Sequence, residues 1–440
     1  MYWTGRREGK ESFKDIDECE LDAFLGILIA IGATFQTKVY FKSLWSESPY
    51  IPEIFSTVMN RNRAMEMMKC IRFDDKEKRK EKLKEDKLAA ISELCQLIVN
   101  QFKSSYVPSP TLTIDERISP FKGRVGFKVF MPGKPKKYGI KIWILADSTN
   151  YFVSNFKIYS GMSNGIRDTN QGENVVLDLT SHLNSGHNIT TDDFFTSISL
   201  AYKLIERNNP MTLLGTLRSN RKYIPNCIKL HSKKEELSSV FSFTDEVTIV
   251  SYIPKKNKKV ILLSSSHTNC NIGNEEQKFK PEIITEYNNT KCGVDKLDKI
   301  TSSTSCIRGT RRWTMNVFYN FLDMICYNAY ISHRIAVDLR LKRRDFLIQL
   351  SEILMKPNAI RRLNEGNIPT AIKMKIRKIF SVPLEANVGI SQQLKPGHND
   401  KCQLCPGLSK QRRKAAYYCI KCNKMICSDH QQAAKCILCD

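Results

Sequence analysis

The sequence predicts an α/β protein: a mixed sheet flanked by helices, with an inserted β-rich segment, helical sequence on both flanks and a small C-terminal zinc-binding domain. Three observations carry this expectation. Apolar residues recur at helical spacing through the first hundred positions. From residue 111 the period shortens, and short strand-like runs then alternate with helical ones. The last forty positions hold seven of the 15 cysteines, grouped in pairs.

Residues 20–29 begin with acids suited to a helix N-terminus and then turn strongly apolar. Ala64, Met65, Met68 and Ile71 give 61–73 a helical period, as Ile91, Leu94, Cys95, Ile98 and Phe102 do for 88–102. Between them, 76–87 is a mixed-charge run of the kind that forms a solvated helix face or loop. Pro108 and Pro110 end the helical pattern.

The next stretch, 112–118, alternates: Leu112, Ile114, Glu116 and Ile118 fall on one face of a strand, and Thr113, Asp115 and Arg117 on the other. Short strands are expected at 127–130, 140–146 and 151–158, a helix at 175–183, a strand ending at 189–192, a helix at 197–206 and a strand at 211–217. Strand-like pieces at 246–253 and 260–263 flank the turn Lys255-Lys256-Asn257-Lys258-Lys259 and read as an insertion at about 219–281. From 288 the chain is helical and carries Asp295 and Asp298 at i, i+3. A long amphipathic helix at 313–335 and shorter ones at 344–355 and 372–380 follow. The boundaries implied are 1–108 (helical), 109–302 (α/β), 303–383 (helical), 384–400 (linker, with Gly389, Pro396 and Gly397) and 401–440 (cysteine-rich).

Lys and Arg number 69 against 45 Asp and Glu, a net charge of +24. An excess of that size favours a polyanionic partner. The N-terminus, Met1-Tyr2-Trp3-Thr4-Gly5-Arg6-Arg7, leads into charged residues and lacks the apolar core of a secretory leader. The apolar run at 23–33 is too short to span a bilayer, and 319–337 is interrupted by Asp323, Asn328, His333 and Arg334. A soluble protein with no membrane partner and no small-molecule substrate is expected. Eight cysteines are scattered singly before residue 400 and read as buried apolar thiols; the paired ones read as metal ligands in a reducing compartment.

A carboxylate in the middle of a strand is costly to bury and calls for a metal, a partner or a wet edge. Asp115 sits in such a place, and Asp192 and the pair Asp295/Asp298 form two further acidic stations at the ends of apolar runs. Mg²⁺ and Mn²⁺ prefer a few carboxylates completed by water and phosphate. Two such ions can drive an in-line phosphoryl displacement.

In the tail, Cys402-x2-Cys405, Cys419-x2-Cys422, Cys427-x2-His430 and Cys436-x2-Cys439 supply four ligand pairs. That set suits two tetrahedral Zn²⁺ ions. Alternating pairs in a cross-brace would put Cys402, Cys405, Cys427 and His430 on one ion and Cys419, Cys422, Cys436 and Cys439 on the other. A ubiquitin-ligase RING or a histone-tail reader shares this architecture, but here His is the sixth ligand, not the fourth. Lys410, Arg412, Arg413, Lys414, Lys421 and Lys424 decorate the cluster, which favours DNA as its partner and offers a nuclear import signal.

Thr113-Ile114-Asp115-Glu116, Pro132-Gly133-Lys134-Pro135-Lys136-Lys137-Tyr138-Gly139-Ile140-Lys141, Phe195-Thr196-Ser197, Gly215-Thr216-Leu217-Arg218-Ser219-Asn220 and Gly293-Val294-Asp295-Lys296-Leu297-Asp298 together resemble the piggyBac-type transposases. The resemblance is collinear from about residue 15 to the final cysteines. It implies an RNase H-like catalytic domain with Asp115, Asp192 and Asp295 as the catalytic triad and Asp298 as a further metal-site acid. It also implies cut-and-paste transposition at TTAA targets with Mg²⁺ (or Mn²⁺), double-stranded DNA bearing terminal repeats as substrate, and a homodimer in the nucleus. The helices on both flanks would join into one dimerisation and DNA-binding domain. The family carries an acidic extension ahead of the position of residue 1, and Asp193 stands where its best-known member has Asn. Arg218, Arg221 and Lys222 follow the strand after Asp192 and could reach phosphates, and Arg311 and Arg312 add to the DNA-binding candidates with Arg412, Arg413 and Lys414. Trp313 reads as a core or interface anchor. A derived DNA-binding protein that no longer moves DNA is the alternative, and a chromatin-reading scaffold is a third reading that rests on the tail alone.

Overall fold

The computed structural model describes residues 2–3, 14–133, 137–161, 169–231, 235–337, 341–383, 400–406, 412–418, 424–432 and 435–436, with backbone alone for 2–3, 431–432 and 435–436. The linker expected at 384–400 lies outside the described residues except for its last position. So do Cys419, Cys422, Cys439, Lys410 and Lys421, and the side chain of Cys436.

The chain divides into two compact units, one of Met1–Asp15, Leu28–Tyr40 and Met65–Ser351, the other of Ile16–Ile27, Phe41–Ala64 and Glu352–Asp440. The first is built on one sheet, whose strands in chain order are β1 (Thr111–Pro120), β2 (Val129–Phe130), β3 (Tyr138–Asp147), β4 (Val153–Ile158), β5 (Asn188–Thr191), β6 (Thr212–Thr216), β7 (Ser239–Phe243), β8 (Thr248–Lys255) and β9 (Lys258–Ser264). Their spatial order is β2-β3-β1-β5-β6-β9-β8-β7, with β4 also paired to β3. β1, β5 and β6 run parallel; every other pairing is antiparallel. The mixed sheet flanked by helices that the sequence predicts is therefore present. The strands read as an insertion continue this same sheet, because β9 pairs with β6 through Leu262↔Thr216 and Leu263↔Gly215.

Alternation along the central strands builds two cores. Leu112, Ile114, Leu213, Ile249 and Leu263 face one side, with Val175, Val176 and Leu179 of helix Gln171–Leu179 and Leu200, Ala201 and Leu204 of helix Ile198–Ile205. Their neighbours Leu214, Val250 and Leu262 face the other side, with Ile283, Ile284 and Tyr287 of helix Glu282–Thr290. Continuous apolar pairs such as Leu213-Leu214 are what a strand buried on both faces requires.

The helix Trp313–Val337 docks on the sheet through polar residues that its amphipathic pattern does not reveal. Asn328 Oδ1 accepts from the Val153 N–H and its Nδ2 donates to the Val153 carbonyl, both at 2.9 Å, which extends the β-ladder with a side chain. Asn316 Nδ2 donates to the Pro120 carbonyl at 2.9 Å. Asp323 is fully enclosed and accepts from Ser305 Oγ at 2.6 Å and the Cys306 N–H at 2.7 Å, while burial pushes its carboxyl up. Trp313 packs edge-on to Phe127. Arg312 donates to the carbonyls of Met68, Lys69 and Ile71, and burial lowers its guanidinium to about 10.

In the second unit, Glu20 holds Arg63 at 2.7 Å, Trp45 Nε1 donates to the Met59 carbonyl at 2.8 Å, and Arg362 donates to the carbonyls of Ser56 and Thr57. Asn358 Nδ2 donates to the Val58 carbonyl at 2.8 Å, and Lys375 pairs with Glu53 at 2.8 Å. Within this unit the contacts tie Ile16–Ile27 and Phe41–Ala64 to the helices that follow Glu352.

Candidate active site

The parallel ladder between β1 and β5 runs Thr111↔Asn188 to Ile114↔Thr191. Continuing that register by one residue sets Asp115 beside Asp192, where β5 ends and β1 continues. Among the described residues, carboxylate oxygens of Asp115, Glu116 and Asp192 lie within 4.8 Å of one another. Sequence alternation alone would send Glu116 to the opposite face from Asp115.

The turn after β5 is tightly held. Asp192 Oδ1 accepts from the Phe194 N–H at 3.0 Å, and Thr196 Oγ1 donates to the Asp192 carbonyl at 2.7 Å while sharing a 2.7 Å bond with Thr191 Oγ1. Gly215 of β6 is the reason this turn fits: a Cβ there would stand 2.2 Å from Thr196 Oγ1 and 2.8 Å from the Thr191 carbonyl oxygen. Asp115 is oriented by the Glu116 N–H at 2.7 Å. Burial pushes the Asp192 carboxyl up to about 6, and the Glu116 charge adds to the effect, partly offset by the Phe194 N–H. Crowded acids of this kind are relieved either by a proton or by a cation.

Asp295 and Asp298 lie on helix Gly293–Ser302, which packs along β1. Its N-terminus approaches the strand because Gly293 has no side chain: a Cβ would come 2.9 Å from Thr113 Oγ1. Asp295, in the first turn, is not a member of the 4.8 Å group. Asp298 instead pairs with Arg117, Nε to Oδ1 at 3.0 Å, and Arg117 Nη2 reaches Thr301 Oγ1 at 2.9 Å. The structure thus brings two of the four expected aspartates together, adds Glu116, and engages Asp298 with an arginine from the same strand. By contrast Asp147, at the end of β3, accepts from Tyr106 Oη, Ser109 N and Oγ and the Thr149 N–H, a fully satisfied structural acid.

Arg218 and Arg221 do follow β6, and both turn toward the Asp192 loop. Arg218 Nη2 pairs with Asp193 at 2.9 Å, and Arg221 Nη2 donates to the carbonyls of Asp193 and Phe194. The additional acid at 193 therefore has a cation of its own. Arg311 is exposed, whereas Arg312 is spent on the three carbonyls named above.

In the tail, Nδ1 of His430 lies 3.5 Å from Cys402 Sγ, 3.6 Å from Cys405 Sγ and 3.3 Å from Cys427 Sγ, and the Cys405 and Cys427 sulfurs are 3.8 Å apart. A tetrahedron with metal–sulfur bonds of about 2.3 Å has edges of about 3.8 Å. The four groups therefore fit one metal ion. Burial would raise the Cys402 thiol, but the N–H groups of Cys427, Leu404 and Cys405 and the ring of His430 outweigh it and bring it down to about 6. Arg413 pairs with Asp429, and the backbones of Lys401 and Lys414 form an isolated antiparallel β-bridge at the cluster's edge. Arg412 is half-buried.

Cation binding at the three acids is expected to compete with the Asp192 proton. At pH 5, about one unit below its pKa, terbium or manganese affinity should fall about tenfold relative to pH 7.5. For the metal-free protein the sign is opposite. The folded state binds this proton more tightly than the unfolded chain, so stability rises as pH falls through about 6 toward the unfolded carboxyl value. Equal metal affinity at both pH values, read by terbium luminescence, would remove Asp192 from the ligand set.

The matched sequence family is described as Transposase IS4 and covers residues 4–330. PiggyBac transposable element-derived protein 3 of Homo sapiens is 26% identical over 337 residues, covering 72% of this chain and 55% of that protein. The chimeric ERCC6-PGBD3 protein of Homo sapiens is also 26% identical over 337 residues, covering 72% of this chain and 31% of that protein. The chain thus spans about half the length of the first of these relatives, and less of the second. A piggyBac transposase, solved by cryo-electron microscopy as a synaptic complex with hairpin DNA, superposes with a TM-score of 0.82 at 33% identity over 99% of this chain and 91% of that chain. By the family match, the shared fold and the aspartate-bearing strand-and-turn arrangement, the chain belongs to the transposase IS4 family and is of piggyBac type.

Proposed function

We propose that the chain is a divalent-metal-dependent DNA transposase that cuts and rejoins strands by a cut-and-paste route at TTAA sites, working as a homodimer in the nucleus. The observation that carries this reading is the meeting of Asp115, Glu116 and Asp192 at the end of the parallel strands. That donor set is all hard oxygen, and the raised Asp192 carboxyl marks a site whose like charges a cation would neutralise. Mg²⁺ or Mn²⁺ bound there would polarise a phosphate and activate water or a 3′-hydroxyl. Asp115, Glu116 and Asp192 would hold that cation, and Asp295 and Asp298 of the adjoining helix would add further carboxylates to the set. Lys222 and Arg311 stand ready for backbone phosphates, and the +24 charge supports DNA binding at large. In the tail, Cys402, Cys405, Cys427 and His430 would take one Zn²⁺, and the remaining pairs Cys419/Cys422 and Cys436/Cys439 would supply four ligands for a second. Among the described residues, no helix is long and apolar enough to cross a membrane.

The engagement of Asp298 by Arg117 favours the alternative of a derived DNA-binding protein without transposition. The two are separated by incubating the full chain with DNA that carries the terminal repeats of its own genomic copy. Strand nicks at the repeat–TTAA boundary in Mg²⁺ but not in Ca²⁺ are expected. Binding of the repeats with no nick in Mg²⁺ or Mn²⁺ would establish the alternative.

A further inference from the structure

Arg117 follows Asp115 by two residues on β1, on the same face of the strand, and is only 6% exposed. A guanidinium stays protonated at every working pH, and a buried charge needs an opposite one beside it. Two carboxylates act on this one. Asp298, on helix Gly293–Ser302, places Oδ1 3.0 Å from Arg117 Nε. Asp323, on helix Trp313–Val337, is the other: burial pushes its carboxyl up, and the Arg117 charge is the strongest influence drawing it back down.

The two acids differ in what else can reach them. The Asp298 side chain is 38% exposed and open to a cation from solution. Asp323 is 4% exposed, with one oxygen bonded by Ser305 Oγ and the other by the Cys306 N–H. Arg117 is also anchored apart from either acid. Its Nη2 donates to Thr301 Oγ1 at 2.9 Å, and that hydroxyl donates to the Leu297 carbonyl at 2.9 Å. Its Nη1 is buried and makes no hydrogen bond. One edge of the guanidinium is therefore fixed while part of its donor set is unspent.

A divalent ion and a guanidinium on the same carboxylate repel each other, so they compete for it. We propose that Arg117 is a positioning residue that serves as a resident cation of the acid site: it neutralises Asp298 until a divalent ion takes that carboxylate, and then turns its charge to Asp323. The inference rests on the metal-dependent reading and adds a device by which this chain sets the affinity of the ion at Asp298. Asp323 is the standby counter-ion that keeps the buried guanidinium compensated in either state.

The full chain, without DNA, is titrated with Mn²⁺, and bound ions are counted from the loss of the free-ion signal in electron paramagnetic resonance. A charge within about 4–6 Å moves a neighbouring ionic equilibrium by one to three powers of ten. Arg117→Gln should therefore tighten the weaker ion about tenfold, or bring a second ion into view where the wild type holds one. Asp323→Asn should act in the opposite direction and weaken that ion about threefold or more, because Arg117 then has Asp298 alone. Its amide oxygen can still accept from the Cys306 N–H, so the fold should hold. A side chain that only props up the helix would weaken binding in both variants. Should Arg117→Gln fail to fold, Asp323→Asn decides alone. No tightening in folded Arg117→Gln, or an unchanged weaker ion in Asp323→Asn, overturns the resident cation and leaves the metal-dependent reading intact. No bound Mn²⁺ in the wild type or either variant overturns both.

Discussion

Asp192→Asn is expected to lower Mg²⁺-dependent strand cleavage about a thousandfold or more while leaving affinity for terminal-repeat DNA within about twofold. Loss of one anionic oxygen from a metal site removes several kcal/mol of transition-state stabilisation, and each ~1.4 kcal/mol is a factor of ten in rate. The substitution is otherwise mild. An amide oxygen can still accept from the Phe194 N–H that now bonds Asp192 Oδ1, so the turn after β5 should keep its shape. The same exchange should raise the melting temperature of the metal-free protein at pH 7. Asp192 is penalised there by burial and by Glu116, and the neutral amide escapes both. Lower activity combined with higher stability is the signature of a residue retained for chemistry. Unchanged cleavage would exclude Asp192 from the mechanism, and a lower melting temperature would show that its role is to hold the turn.

Removal of zinc should unfold the tail and leave the β-sheet unit intact. The described part of the tail buries only Cys402, Ala415, Ile426 and Cys427 among its apolar residues, with Leu404, Cys405 and Tyr417 partly buried around them. Burying a single isoleucine stabilises by about 1.5–3 kcal/mol, far below what ordering such a segment requires, whereas structural zinc supplies about 10–16 kcal/mol. Metal analysis should find two zinc ions per purified chain, and Cys427→Ser should lose one. Limited proteolysis of that variant should then cut within residues 401–440 and spare the β-sheet unit. A tail that resists protease after chelation, with no bound metal, would end the zinc assignment.

Much of the fold was legible in the sequence because periodicity reports local burial. The switch from helical spacing to alternation at residue 111 marks the start of β1, and runs such as Leu213-Leu214 and Leu262-Leu263 mark strands covered on both faces. The strands at 246–253 and 260–263 were visible as strands, but their union with the central sheet was not. Only the pairing of Leu262 and Leu263 with Thr216 and Gly215 establishes it. Helix 313–337 shows the same limit: its asparagines and Asp323 look like a solvated face in sequence, yet they are buried because Val153, Pro120, Ser305 and Cys306 offer partners.

By itself the sequence determined that Asp115 stands mid-strand, that Asp192 ends another strand run, and that the tail's Cys-x2-Cys pairs have the spacing of metal ligands. These follow from spacing along the chain, which is a local property. Tertiary structure alone decided that the β1–β5 register sets Asp115 against Asp192, that Glu116 joins them, and that Arg117 takes Asp298. It also decided that Trp143 and Phe194, apolar letters in the sequence, wall a cleft around Lys141. Each of these depends on which distant backbone lies alongside, and a one-residue change of register would rearrange them all without altering any pattern that can be read along the chain.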